Sequence, residues 1–321
     1  MEKLEKNPYA EDLEFKEKFR ERYSKLTDWP AYERISRMYL RKCIRVNTIK
    51  MPVAKLKKRL EEKWNLDPVP WCREGFWIKH IGEKRIDIGN LKEHLLGYIY
   101  VQSSASMIPP VVLDPKPGDI VLDMCAAPGS KTTQIAQYMD NQGVVVANDI
   151  SADRLASLGI NVQRCGLTNV MITKSYGFHM KDAVKGGFDR VLVDAPCSGT
   201  GSIRKSLKTV QMWNPNMIKR LSSVQKRLIE RGFDLLKKGG TMVYSTCSQE
   251  PEENEEVVNH LLEKHEDAKL DDIKLNIKHG PAVTGFEGRK YNPEVRKCLR
   301  IWPQDNNTEG FFISRVKKDS A

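Results

Sequence analysis

The chain has 321 residues, 40% hydrophobic and 30% charged, with a formal net charge of +11. That is apolar material for one substantial core and a smaller second unit; no apolar run approaches the ~18 residues of a membrane span, and the N-terminus has no secretory apolar region. The charge favours a polyanionic partner over a merely solvated basic surface, because residues 1–105 hold 23 Lys and Arg against 16 Asp and Glu, which is +7 of the +11.

The seven cysteines, at 43, 72, 125, 165, 197, 247 and 298, are odd in number and form no Cys-x-x-Cys pair. Neither a metal site nor a disulfide framework is expected, and a reducing, cytoplasmic compartment is the simpler reading. Cys43, Cys72, Cys165 and Cys298 read as small buried hydrophobes. The six histidines lie outside every motif described below, so His-based catalysis has no support.

Residues 11–40 read as helices. Phe15, Phe19, Tyr23 and Leu26 fall at helical spacing, as do Ile35, Met38 and Tyr39, an aromatic stripe better read as core than as a platform for bases. An alternating run over residues 43–49 is a strand. Pro52, at a first helical position, opens a basic amphipathic helix with Leu56, Leu60 and Trp64 on one face. Residues 76–78 and 98–101 are further strands. This β-α-β-β order with basic edges suggests a small RNA-binding unit of the RRM kind, although the aromatic signature of that fold is absent. Gln102-Ser-Ser-Ala-Ser106 then leads through Pro109, Pro110, Pro115 and Pro117, which reads as a joint or an ordinary linker.

From residue 120 strands and helices alternate, which argues for a parallel sheet covered by helices. Ile120, Val121 and Leu122 form a buried strand that runs into Asp123-Met-Cys-Ala-Ala-Pro-Gly-Ser-Lys131. Ala126, Ala127 and Gly129 let backbone N–H groups approach a ligand, and a helix over 130–139 presents its N-terminus there. A second strand, 143–147, ends at Asn148-Asp149, where an acid can accept ribose hydroxyl protons or simply cap the next helix. Arg154 opposes that helix's dipole and calls for a carboxylate partner.

A third strand, 170–173, runs into Lys174-Ser-Tyr-Gly177, a fourth, 188–193, into Asp194-Ala-Pro-Cys-Ser-Gly199, and a fifth, 241–244, into Ser245-Thr-Cys-Ser248. Cys197 and Cys247 thus leave the carboxyl edge of the sheet, where α/β folds bind ligands. A helix opened by Asn214-Pro215 lies between them and ends at Lys237-Lys-Gly-Gly240. Residues 252–256 (Glu-Glu-Asn-Glu-Glu) open a helix whose charge reads as a solvated face; residues 311–313 are a last strand, and 315–318 a basic tail.

Taken in order, residues 123–131, 194–199, 245–248 with 250–254 (Glu-Pro-Glu-Glu-Asn), and 309–313 (Glu-Gly-Phe-Phe-Ile) resemble the motifs of the RNA cytosine-C5 methyltransferases. That family is typified by bacterial ribosomal RNA small-subunit methyltransferase B. Residues 45–48 (Arg-Val-Asn-Thr) resemble an element of its N-terminal RNA-binding domain, and the compact form is most similar to archaeal tRNA members.

The resemblance implies an α/β fold: a Rossmann-like S-adenosylmethionine-dependent methyltransferase sheet with a smaller α+β, RRM-like N-terminal domain. It divides the chain into N-terminal helices (1–42), an RNA-binding domain (43–105) and a catalytic domain (106–321). It implies S-adenosyl-L-methionine as cofactor, held by Cys125, Ala126, Ala127, Pro128, Gly129, Ser130, Lys131, Asp149, Arg154 and Asp194; Ser175 stands where the family usually has an acid near the adenine.

Carbon 5 of cytosine is a poor nucleophile until a thiolate adds to carbon 6. The resemblance implies Cys247 as that thiolate, Cys197 as the base that allows product release, Asp194 as a contact to the cytosine and Lys131 beside the reacting centre. A monomer acting on tRNA in preference to rRNA is expected, with no membrane partner and with a helper protein left open. Two rivals remain. DNA cytosine methyltransferases take their nucleophile from Pro-Cys, here Pro196-Cys197, and a non-catalytic RNA-binding or assembly factor could retain a cofactor pocket.

Overall fold

The computed structural model describes residues 4–82, 86–182 and 184–320, so the first residues of the N-terminal stretch read for a leader lie outside it. Two short helices come first, α1 (Glu17–Ser24) and α2 (Trp29–Ser36). Asp28 caps α2 by accepting from the Ala31 N–H at 3.1 Å. Phe19 and Tyr23 stack at 4.0 Å between ring centres and pack with Trp213 and Trp302 from far along the chain, so the aromatic stripe is core. Phe15, Leu26, Met38 and Tyr39 lie beyond the helix ends: the apolar spacing outlasts the helical backbone.

The next elements are β1 (Cys43–Val46), α3 (Val53–Leu60), β2 (Trp64–Val69), β3 (Cys72–His80), α4 (Lys92–Leu95) and β4 (Ile99–Val101). They form an antiparallel sheet in the order β2-β3-β1-β4, that of a β-α-β-β-α-β unit. The β2 strand was not foreseen, because Trp64 continues the helical spacing of Leu56 and Leu60 and Pro68 argues against a strand. As an edge strand β2 tolerates a proline without losing a ladder bond. Pro52 caps α3 rather than entering its first turn.

After α5 (Ile108–Leu113) come β5 (Ile120–Asp123), α6 (Ser130–Tyr138), β6 (Val144–Asp149), α7 (Ala152–Cys165), β7 (Val170–Lys174) and β8 (Phe188–Asp194). Then follow α8 (Lys208–Met212), α9 (Pro215–Asp234), β9 (Leu236–Thr246), α10 (Glu255–Lys264) and β10 (Ala268–Leu270). A small hairpin, β11 (Gly285–Phe286) and β12 (Arg289–Lys290), precedes β13 (Leu299–Ile301), α11 (Pro303–Asn306) and β14 (Phe311–Lys318).

The main sheet runs β10-β14-β9-β8-β5-β6-β7, with β13 beside β14. Strands β5 to β9 are parallel, and β14 is antiparallel to β9. Strand order reverses between β5 and β8, which opens a crevice at their carboxyl ends. Among the described residues no helix is long and apolar enough to cross a membrane.

Three expectations are corrected. The α9 helix stops at Asp234 and residues 236–240 already belong to β9, because the Phe188 N–H takes the Leu235 carbonyl at 2.9 Å and draws the chain into the sheet. Residues 315–318 are the end of β14, where Arg315 and Lys317 face Asp271 at 3.7 and 3.5 Å. Glu253 and Glu255 are buried rather than solvated. For Glu255 the reason is an ion pair with the buried Arg300, whose Nε donates at 2.9 Å.

The small sheet is held to α6 by Arg45, which is only 1% exposed. Its guanidinium donates to Gln137 Oε1 at 3.2 Å, the Ser130 carbonyl at 2.8 Å, Thr133 Oγ1 at 2.9 Å, and Gln102. Asn47 adds 2.8 Å bonds from Nδ2 to the Gly97 and Cys165 carbonyls. Replacing Arg45 with Met leaves these buried neutral acceptors unsatisfied, so urea unfolding should show a loss of about 1–3 kcal/mol. An unchanged midpoint would mean that the interface does not depend on this charge.

Candidate active site

The loop after β5 is built from backbone pairing to its neighbours. Met124 N–H donates to the Leu192 carbonyl at 3.0 Å, Ala126 N–H to the Asn148 carbonyl at 2.8 Å, and Ala127 N–H to Asp149 Oδ2 at 3.2 Å. Gly129 then has φ +106°, and a Cβ there would meet Leu158 Cδ1 at 2.7 Å, so the turn into α6 requires glycine on two counts. Pro128 is exposed, while Cys125 and Ser130 are half-buried. Burial, reinforced by Asp123, Asp194 and Asp149, raises the Cys125 thiol far above its ordinary range, so it is a poor nucleophile.

Asp149, nearly fully buried at the end of β6, also accepts from the Ser151 N–H at 3.0 Å and faces Arg154 NH1 at 3.3 Å, the carboxylate partner that the sequence called for. Arg154 reaches back to the Ala127 carbonyl and closes the ring. Ser175 lies half-buried at the end of β7. Asn148 occupies its backbone, accepting from its N–H at 2.9 Å and donating to its carbonyl at 3.0 Å, so the Ser175 hydroxyl is the group left to reach a ligand. That hydroxyl points to the Tyr176 carbonyl at 3.3 Å.

Asp194, at the carboxyl end of β8, accepts from Lys131 Nζ at 2.6 Å and from Ser245 Oγ at 2.8 Å. Burial disfavours the Lys131 charge, but Asp194 outweighs it and holds the ammonium above its ordinary value. Cys197 and Cys247, three residues beyond Asp194 and two beyond Ser245, bring their sulfurs to 3.3 Å. The hydrogen bond from Cys197, helped by Ser202 and Lys131, lowers the Cys247 thiol, whereas that same bond and burial raise Cys197. Cys247 is therefore the more readily ionised sulfur, with Cys197 as its donor.

Glu253 fixes that distance. Its carboxyl accepts from Ser198 N–H at 2.9 Å, Gln225 Nε2 at 3.0 Å, Ser248 Oγ at 2.5 Å, and the Ser198 hydroxyl, which ties the two cysteine loops together. Burial raises its pKa, and these donors pull against the rise. A cavity of about 170 Å³ opens over Cys247, with Lys131 and Asp194 in its wall.

Sequence reasoning missed the rest of that wall: Ser103, Ser106, Ser202 and Lys205, together with the carboxylate of Glu309 and the ring of Phe311. Ser106 accepts from Lys131 at 3.1 Å and is itself held by Gln102, whose Nε2 donates to the Ser106 carbonyl at 3.0 Å. Two signals were available: the Gln-x-x-x-Ser element over 102–106, which reads equally as a linker, and the motif over 309–313, which carried no role for Glu309 or Phe311.

A family model described as 16S rRNA methyltransferase RsmB/F matches residues 110–317, and one described as the N-terminal domain of 16S rRNA methyltransferase RsmF matches residues 13–104. The tRNA (cytosine(49)-C(5))-methyltransferase of Pyrococcus abyssi is 47% identical over 314 residues, 95% of this chain and 99% of that one. The ribosomal RNA small subunit methyltransferase F of Aliivibrio salmonicida is 42% identical over 88% of this chain, which spans 59% of that relative's length. Among solved structures, a methyltransferase homolog protein from Pyrococcus horikoshii is 39% identical with a TM-score of 0.80 over 90% of each chain. NSun6 from Pyrococcus horikoshii, in a structure with SFG, an S-adenosylmethionine analogue, is 25% identical with a TM-score of 0.82, covering 95% of this chain and 98% of that one.

Two predictions follow from the site's electrostatics. Iodoacetamide at neutral pH should modify Cys247 ahead of Cys197, read by peptide mass mapping. Cys197→Ala should move the Cys247 reaction to higher pH while Cys197→Ser retains it; identical profiles would exclude the hydrogen bond as the cause. Burial also pushes the Asp123 carboxyl up to about 7, against the hydrogen bond from Thr132 Oγ1 at 2.7 Å. A carboxyl raised above its unfolded value stabilises the fold while protonated, and that contribution is lost as pH rises from about 4 through about 7. Asp123→Asn should therefore raise Tm at pH ~8 by roughly 2–4 °C for each kcal/mol of ionisation cost relieved, with the gain shrinking toward pH ~4. A pH-independent difference would refute the assignment.

Proposed function

The chain belongs to the 16S rRNA methyltransferase RsmB/F family, and from that membership we propose that it methylates carbon 5 of cytosine in tRNA with S-adenosyl-L-methionine as donor. The observation that carries this reading is the pair of sulfurs 3.3 Å apart beside a cavity walled by Lys131 and Asp194. The match along nearly the whole tRNA enzyme, against 59% of the rRNA enzyme, favours tRNA.

The strand ends suit the cofactor. Asp123 Oδ1 is buried without a hydrogen-bond partner, and Asp149 offers a carboxylate at the end of β6. Residues 125–131, Asp149, Arg154, Ser175 and Asp194 would hold it, Ser175 through its hydroxyl. When bound, S-adenosylmethionine supplies an electrophilic sulfonium methyl group.

The protein's part is to make carbon 5 nucleophilic. Asp194, oriented by Ser245, contacts the base at N3 and passes to it the proton it receives from the Lys131 ammonium, which draws electron density from carbon 6. The Cys247 thiolate adds to carbon 6, forming a C–S bond and pushing an electron pair toward carbon 5. As a thioether Cys247 carries no charge, so Cys197 no longer faces a thiolate and can ionise to solvent. Cys197 then takes the carbon 5 proton; the C5–C6 double bond re-forms and Cys247 leaves as a thiolate.

Carbon 6 is inaccessible in a stacked helix, so the target nucleotide is flipped into the cavity. The domain over 43–105 grips RNA phosphates, with the exposed Lys55 and Lys58 of α3 as contacts.

Labelled S-adenosylmethionine with unmodified tRNA and rRNA fragments tests this reading. Wild type should label tRNA, Cys247→Ala should form no denaturant-resistant adduct, and Cys197→Ala should accumulate one. Activity in Cys247→Ala with adduct loss in Cys197→Ala would reverse the roles, and labelling of rRNA alone would overturn the substrate.

A further inference from the structure

Adding a thiolate to carbon 6 does not by itself distinguish cytosine from uracil, since both rings carry that carbon. At the Watson–Crick edge they differ at N3, an acceptor in cytosine and an N–H donor in uracil, and at position 4, where cytosine has an amino donor and uracil a carbonyl acceptor. A serine hydroxyl can serve either group. A lysine ammonium, a pure donor, favours uracil. Only a group that accepts without donating favours cytosine, and the cavity wall offers two carboxylates for this, Asp194 and Glu309. Both Asp194 oxygens are taken by donors that belong to the enzyme's own machinery, Lys131 and Ser245.

Glu309 differs. Its side chain is 3% exposed; Oε1 faces Lys205 Nζ at 2.7 Å, a side chain 48% exposed on a flexible stem, and Oε2 receives a long bond from Thr308 Oγ1 at 3.5 Å. Lys205 also bonds to Ser103 Oγ, so it lies across the cavity from the main catalytic chain to the segment entering from the small sheet. The position of Glu309 relative to the nucleophile is set by backbone: the Gly310 N–H donates to the Gly201 carbonyl at 2.8 Å, and the Gly201 N–H to the Cys247 carbonyl at 2.9 Å. A Cβ at Gly201 would meet the Gly310 carbonyl oxygen at 2.2 Å, so this spacing tolerates no side chain. Burial works against the Glu309 charge, but Lys205 outweighs it and the group stays an acceptor-only carboxylate.

We propose that Glu309 selects cytosine over uracil, its carboxylate accepting the exocyclic amino group of the flipped base at Oε2 while Lys205, on Oε1, keeps it ionised. Uracil would instead set a carbonyl oxygen against a buried carboxylate. The role rests on the methyltransferase reading above and adds a specificity determinant to it.

The test pairs a change in the enzyme with a change in the base. Methyl transfer is measured as kcat/KM on RNA carrying either cytosine or 2-pyrimidinone, which lacks the amino group, at the target position, for wild type, Glu309→Met, Glu309→Gln and Lys205→Met. The ratio of cytosine to 2-pyrimidinone cancels the intrinsic reactivity of the two rings. It should fall roughly 10- to 100-fold in Glu309→Met, the worth of one charge-assisted hydrogen bond, and by less in Glu309→Gln, which keeps a neutral acceptor. Lys205→Met should lower the ratio as well, because the buried carboxyl loses the cation that keeps it an acceptor. If Glu309→Met does not fold, the ratio in Glu309→Gln decides alone. A ratio equal to wild type in the Glu309 variants overturns the proposal, whereas a wild type that transfers no methyl group to cytosine RNA overturns the underlying function and this role with it.

Discussion

Two sulfurs held 3.3 Å apart can share a proton, but burial prevents both from being thiolates at once. That constraint divides the labour between chemically identical groups, since whichever sulfur receives the hydrogen bond ionises and the other waits as its donor. The distance comes from the sheet, where Asp194 of β8 pairs with Ser245 of β9 and the two cysteine loops leave the same edge. It is then locked by Glu253, which accepts from Ser198 on one loop and Ser248 on the other. Gln225 of α9 adds a second tie, donating to Glu253 and to the Pro196 carbonyl at 2.8 Å.

The acidic run between β9 and α10 extends this logic to the rest of the molecule. Glu250 accepts from Arg22 Nε at 2.7 Å and from Tyr23 OH and Trp213 Nε1, both at 2.9 Å. Helix α1 is thereby fastened to the loop that follows Cys247. Glu255 fastens β13 in the same way through Arg300. Buried charges of this kind add little net stability against apolar replacements, but losing one partner is costly, so they fix one arrangement of distant segments.

The small sheet and the catalytic sheet share a wall rather than a hinge. Arg45 and Gln102 meet at α6, and the segment that leaves β4 supplies Ser103 and Ser106 to the cavity. The Arg45 and Asn47 side chains of the Arg-Val-Asn-Thr element face inward and serve this junction, which leaves α3 as the exposed basic surface of the small sheet.

The parallel strands, the loop after β5 and the exit of both cysteines at the carboxyl edge were legible in the chain because each rests on local pattern: short apolar runs, small residues at a turn, a cap before a helix. Which residues face each other was not. The β2 strand hid behind Trp64 and Pro68, whose local signals point to a helix and a break, and only its place at the edge of the sheet permits both. The burial of Glu250, Glu253 and Glu255 depends on Arg22, Ser198 and Arg300, and no local pattern records a partner so far away in sequence. The cavity wall joins Ser106, Lys205 and Glu309 from three distant segments, and the order of acidity between Cys197 and Cys247 follows from which sulfur receives the hydrogen bond. The chain by itself determined the fold class and the chemical groups available. Tertiary structure alone decided their distances, their burial and hence their charge, because electrostatic interactions are set by separation and solvent access rather than by position along the chain.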